Sequence, residues 1–100
     1  MQSFEGYDNS ETFGFVLSRL KWAGFVDTTW ENDLCPSVGR ELPNGDWIRV
    51  WVDYRKPELR EMPEAPTLSV TWGYDAGAGF ECPSAACRLA IHLALTLGHA

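Results

Sequence analysis

The chain has 100 residues, of which 45% are hydrophobic and 13% aromatic, and its formal net charge is −6 at pH 7. This composition excludes an intrinsically disordered chain, and no apolar run approaches the roughly 18 residues of a membrane span. The acidic balance and the lack of a basic stripe argue against direct binding of nucleic acid. We expect a single intracellular domain at residues 1–100, without membrane association.

The first predicted element is a helix at residues 10–23, after an acidic N-terminal segment at residues 1–9. Gly24 is a typical C-terminal stop, because glycine readily adopts the left-handed conformation. Trp22 lies outside the apolar stripe of this helix, so it either packs under a loop or marks a contact site. The stripe has the spacing of one helical face and consists of Phe13, Val16, Leu17 and Leu20.

Three predicted strands follow an acidic connector at residues 25–36. The dipeptide Asn44-Gly45 is the strongest short-range signal for a hairpin between the first two of them. A loop with three prolines is expected before the third strand, since proline removes donors from a sheet. The strands are predicted at residues 37–42, 46–54 and 67–74, and the loop at residues 55–66.

The second and third predicted strands each have one apolar face. In an antiparallel pair these faces coincide when Val52 lies beside Val70 and Val50 lies beside Trp72. This pairing is therefore the expected register.

A second helix is predicted at residues 83–97, after a glycine-rich turn with the sequence DAGAGFE. Pro83 suits the first helical position and Gly98 suits the stop. The predicted fold is α+β in the order α-β-β-β-α, a three-stranded antiparallel meander with both helices packed on one face.

The sequence contains no recognisable catalytic or metal-binding motif. Cys82 and Cys87 lack the spacing of a zinc site, and the three cysteines are expected to be reduced thiols that pack as small hydrophobic side chains. His92 is more typical of a helix edge than of a general base. We therefore expect a protein that is not an enzyme and that needs no cofactor.

The stretch DWIRVWVDY at residues 46–54 alternates between two faces. Its core face carries aliphatic side chains, whereas Trp47, Arg49 and Trp51 fall on the opposite face. Tryptophan and arginine are the residue types most enriched in binding hot spots. Either the connector or the long loop covers these three residues, with Met62, Leu59 or Trp30 as a lid, or they form an interface.

The net charge and the lack of catalytic groups favour a small acidic inhibitor that occludes a basic, nucleic-acid-handling protein. One setting is a phage-encoded antagonist of bacterial defence, of the anti-CRISPR kind; another is an immunity protein against a nuclease toxin. Both would act in the bacterial cytoplasm. The alternatives are a self-associating structural or assembly protein, such as a homodimer, and a small-molecule-binding domain with an aromatic pocket.

The predicted partner contacts fall into two groups. The sheet contributes Trp47, Arg49 and Trp51. Six carboxylates come from the connector and the long loop: Asp27, Glu31, Asp33, Glu58, Glu61 and Glu64.

Overall fold

Five antiparallel strands and two helices make up the part of the chain that the structure, a computed structural model, describes. The described residues are 11–28, 36–43, 45–53, 58, 60, 62–73 and 76–97. The helices are α1 (Glu11–Trp22) and α2 (Pro83–Leu97). The strands are β1 (Val26–Asp27), β2 (Ser37–Glu41), β3 (Trp47–Val52), β4 (Leu68–Trp72) and β5 (Ala76–Phe80).

Both helices lie close to their predicted bounds. Gly24 follows α1 with a φ of +91°, as its position predicts. The amide of Phe25 donates to the carbonyl oxygen of Leu20 at 3.0 Å, and the Arg40 guanidinium donates to that of Ala23 at 2.9 Å. These bonds give acceptor carbonyls at the end of the helix partners beyond its regular hydrogen bonds. Neither helix, within the described ranges, is long and apolar enough to cross a membrane.

The sheet has five strands in the order β1-β2-β3-β4-β5, rather than the predicted three. The predicted strands correspond to β2, β3 and β4, and the β2–β3 hairpin forms as expected with Gly45 at a φ of +91°. The two added strands are the edges. β1 lies inside the predicted connector and has only two residues, too few for an alternating pattern to be detected.

The second added strand, β5, replaces the predicted glycine-rich turn. Ala78 pairs with Val70 and Gly79 pairs with Ser69. A Cβ atom at Gly79 would overlap the ring of Pro66. Glycine is therefore required here because the preceding loop approaches the strand closely, which is a known reason for glycine inside a strand.

The register between β3 and β4 differs from the expected one by two residues. Val50 pairs with Val70, and Val52 pairs with Leu68. The prediction placed the correct side chains on the same face, but parity cannot distinguish registers that differ by an even number of residues.

The core lies between the helices and one face of the sheet, here called the helix face. α2 packs on β3, β4 and β5, and α1 packs against α2. Alanines of α2 permit this close approach. Cys87 is buried in the core, where burial raises the pKa of its thiol, whereas Cys82 is exposed, so the predicted packing of cysteines is wrong for Cys82. The fully buried core side chains of the sheet are Val38, Ile48, Val50, Val52, Leu68 and Val70.

A buried arginine ties the long loop to the sheet. The side chain of Arg60 is only 4% exposed, and it donates at 2.6 Å to both the Ala65 carbonyl oxygen and the Thr67 hydroxyl. It also lies 3.4 Å from each carboxylate oxygen of Glu81, which accepts a hydrogen bond of 2.7 Å from Thr67. The segment before β4 is thereby joined to the end of β5.

This network makes stability depend on pH. The Thr67 hydroxyl bond and the adjacent Arg60 cation lower the pKa of Glu81 below its ordinary value. A carboxyl whose pKa is lower in the folded state stabilises the fold above its unfolded pKa, and loses that contribution as the pH falls through the folded value. Glu81→Gln should flatten the pH dependence of the unfolding free energy below about pH 4.3.

We expect the Glu81 contribution to stay below about 1 kcal/mol, because solvent screens a carboxylate that is 63% exposed. Urea denaturation at several pH values measures it. Glu64→Gln, at an exposed position of the long loop, is the matched control. If the unfolding free energy of Glu81→Gln fell with decreasing pH as steeply as that of the wild type, Glu81 would not be the source of this pH dependence.

Candidate partner-binding face

The face of the sheet opposite the helices, here called the outer face, carries the three sheet residues predicted as contacts. Trp47, Arg49 and Trp51 are each partly buried, while the residues between and after them on β3 are fully buried. The alternation predicted from DWIRVWVDY is therefore confirmed for residues 47–52, and Tyr54 lies outside the described residues.

These three side chains form a continuous row, here called the Trp-Arg-Trp ridge. The guanidinium carbon of Arg49 lies 5.9 Å from the ring centroid of Trp47 and 5.9 Å from that of Trp51. Both distances fall within the roughly 6 Å range of cation–π attraction. The indole nitrogen of Trp51 donates to the Thr71 hydroxyl at 2.9 Å, which fixes one end of the ridge to β4.

Small residues on the neighbouring strands flank the ridge. Arg49 pairs with Gly39 on β2 and with Thr71 on β4. A Cβ atom at Gly39 would lie 3.1 Å from Cγ of Arg49, so the arginine stem lies against the glycine backbone. On its β4 side the ridge therefore adjoins a flat surface formed by Ser69 and Gly77. On its β2 side Ser37 is fully buried, and its hydroxyl oxygen lies 2.6 Å from that of Thr28.

The structure tests part of the proposed cover. Met62 is 64% exposed, so it does not act as a buried lid; Leu59 and Trp30 lie outside the described residues. The long loop does reach the outer face at Pro66, which packs against Gly79 at the β5 edge. This contact lies two strands away from the ridge.

Carboxylates lie at both ends of the ridge. Glu41 is exposed and pairs with Trp47 across β2 and β3, and Asp46 is exposed in the adjoining hairpin. Asp53 follows Trp51 by two residues, a spacing that places both on the same face of an extended strand. The sequence prediction missed Glu41 and Asp46 as site residues, although the Asn-Gly turn could have located both beside Trp47.

Of the predicted acidic contacts, Asp27 lies on the face of the sheet opposite the ridge. Asp27 is exposed and pairs with Val38, a core residue. Paired residues share a face of the sheet, so Asp27 lies on the helix face. Glu58 and Glu64 are exposed in the long loop. Glu31, Asp33 and Glu61 lie outside the described residues.

A cleft of about 290 Å³ opens beside the ridge at the hairpin end. The residues that line it include Asp46, Trp47, Arg49 and Thr71. The cleft thus combines an arginine, a carboxylate and an indole. This combination could bind a polar side chain of a larger partner.

A second apolar surface lies on the helices. Trp22 is 93% exposed. Together with Ile91 of α2 it lines a groove of about 500 Å³. Packing of Trp22 under a loop is therefore not what the structure contains. This exposed tryptophan is remote in the fold from the outer face and provides a matched control for it.

Comparison with protein families, curated proteins and solved structures found no match to this chain. In the described part of the chain, no group of three or more histidine, cysteine, aspartate or glutamate residues could hold a metal ion. The functional interpretation therefore depends on the geometry of the outer face.

Proposed function

We propose that this protein is a non-enzymatic protein-binding module whose contact surface is the outer face. The observation that carries this proposal is the Trp-Arg-Trp ridge, in which two tryptophans flank an arginine on the central strand of the sheet. Side chains of these types supply much of the binding energy in protein interfaces when a partner excludes water from them. Their flat surroundings allow a partner to approach closely.

The charge of the chain supports a basic partner. The net charge is −6, and Glu41, Asp46 and Asp53 lie around the ends of the ridge. Such carboxylates would meet the lysines and arginines with which a nucleic-acid-handling protein holds phosphates. We accordingly propose a small acidic inhibitor that occludes such a protein, either as a phage-encoded antagonist of bacterial defence or as an immunity protein against a nuclease toxin.

Affinity measurements with matched tryptophan variants test this proposal. The immobilised chain captures a partner from bacterial lysate, and the purified partner is then titrated against each variant. We expect Trp47→Ala combined with Trp51→Ala to weaken binding by at least about 100-fold, because truncating two hot-spot residues removes several kcal/mol. Trp22→Ala should bind as the wild type does.

Controls separate binding from folding and from self-association. Circular dichroism must first establish that the double variant is folded at the assay temperature. Affinity should also fall as the salt concentration rises, because screening weakens exposed charge pairs. A double variant that binds normally would exclude the outer face, and elution above monomer size at every salt concentration would favour the assembly protein instead.

A further inference from the structure

We propose that Arg49 anchors an aspartate or glutamate side chain of the bound partner, in the cleft beside the ridge. This inference rests on the proposed function and adds the chemical group that the centre of the outer face recognises. At the centre of the ridge this chain would then contribute a positive charge to the interface, whereas at the ends it contributes negative charges.

The stacking of Arg49 leaves its donors available. Trp47 and Trp51 flank the guanidinium at equal distances of 5.9 Å. Cation–π attraction engages the charge of the group without using its N–H bonds, which lie in the guanidinium plane and match the two oxygens of a carboxylate. The ridge thus holds a guanidinium in place for bidentate binding.

Among the described residues, Arg49 has no ion-pair partner. Its Nε atom is buried and has no hydrogen-bond partner among the described residues, and no carboxylate of those residues forms an ion pair with it. By contrast, Arg60 donates to the Glu81 carboxylate, and Arg40 donates to the Ala23 carbonyl oxygen. Because Nε is buried, a partner carboxylate would bind through the two terminal nitrogen atoms of the guanidinium, which can donate in parallel to both of its oxygens.

The charges in the cleft favour a carboxylate over a phosphate. Arg49 is the cation among the residues that line the cleft, and Asp46 lines it too. Because Asp46 offsets the charge of Arg49, the second negative charge of a phosphate gains little net attraction in the cleft, whereas it costs more desolvation than a carboxylate does. A terminal carboxylate is usually captured by a nest of free backbone amides, whereas the ridge lies on a central strand paired on both sides.

A nuclear magnetic resonance titration of the full-length, ¹⁵N-labelled chain tests the anchor. Sodium acetate is the probe, with sodium chloride and sodium phosphate at equal ionic strength as comparisons. We expect acetate to cause saturable shifts at the Arg49 Nε–H and at the Trp47 indole N–H. Chloride should cause no comparable shifts, and phosphate should bind more weakly than acetate.

Three variants make the test specific to the guanidinium and its charge environment. Arg49→Lys keeps the charge but loses the planar donor pair, and should weaken acetate binding about tenfold. Asp46→Asn removes the negative charge of the cleft and should tighten it about threefold. Trp22→Ala should leave it unchanged.

Several results would overturn the anchor. These are acetate shifts no larger than those with chloride, tighter binding of phosphate, or unaltered acetate affinity in Arg49→Lys. The proposed function fails separately: a captured partner that ignores the Trp47 and Trp51 substitutions removes the outer face as an interface. If those substitutions abolish capture while Arg49→Lys binds the partner normally, the interface stands and the carboxylate anchor is wrong.

Discussion

Arg60→Ala should lower the free energy of unfolding by about 2–4 kcal/mol. The guanidinium is buried and donates to the Ala65 carbonyl oxygen and the Thr67 hydroxyl as well as to Glu81. Alanine would leave two of these acceptors without their donor and would remove the packed stem of the arginine. Urea denaturation followed by circular dichroism measures the loss.

Arg88→Ala is the matched control, because Arg88 is exposed on α2. Its effect should stay within about 0.5 kcal/mol, as is usual for surface substitutions. Equal losses in the two variants would show that the Arg60 network does not hold the loop. The Glu81 carboxylate is the exposed member of the network and can turn to water, so its removal should cost less than that of Arg60.

The same network illustrates what local sequence patterns omit. Arg60 lies in a proline-rich, charged segment, which is typical of a solvated loop. Its partner Glu81 is 21 residues further along the chain, beyond a strand that the pattern did not predict. An ion pair between such distant positions becomes evident only when β5 is known to end beside the start of β4.

Periodicity predicted the central elements well because burial imposes it on them. The positions of Leu17 and Leu20 on α1 and the alternation of β3 are direct consequences of packing against one core. The edge strands lack that signal: β1 has two residues, and β5 alternates alanine with glycine before Phe80. Neither side-chain size nor polarity distinguishes such segments from turns.

The candidate site was predictable in its centre and not at its borders. Alternation alone placed Trp47, Arg49 and Trp51 together, and the structure adds that they stack. Carboxylates that were selected by their position in acidic segments could not be assigned to a face without the sheet register. For this reason Asp27 was grouped with the ridge, whereas Glu41 was overlooked.

Leu20→Ala should destabilise the protein by about 3–5 kcal/mol, the upper part of the range for large-to-small core substitutions. Leu20 is 0% exposed and is the one fully buried side chain among those described on α1. Its neighbours include α2, against which α1 packs, so a cavity here would separate the two helices. Thermal and urea denaturation both measure the effect.

Leu95→Ala is the control for Leu20→Ala, because it makes the same chemical change at an exposed position of α2. It should cost less than about 0.5 kcal/mol, and a loss comparable to that of Leu20→Ala would contradict the described packing of α1. Partner binding gives a further test. Leu20 lies on the helix side of the sheet, so Leu20→Ala should bind the partner normally at temperatures where it remains folded, whereas the Trp47 and Trp51 variant should not.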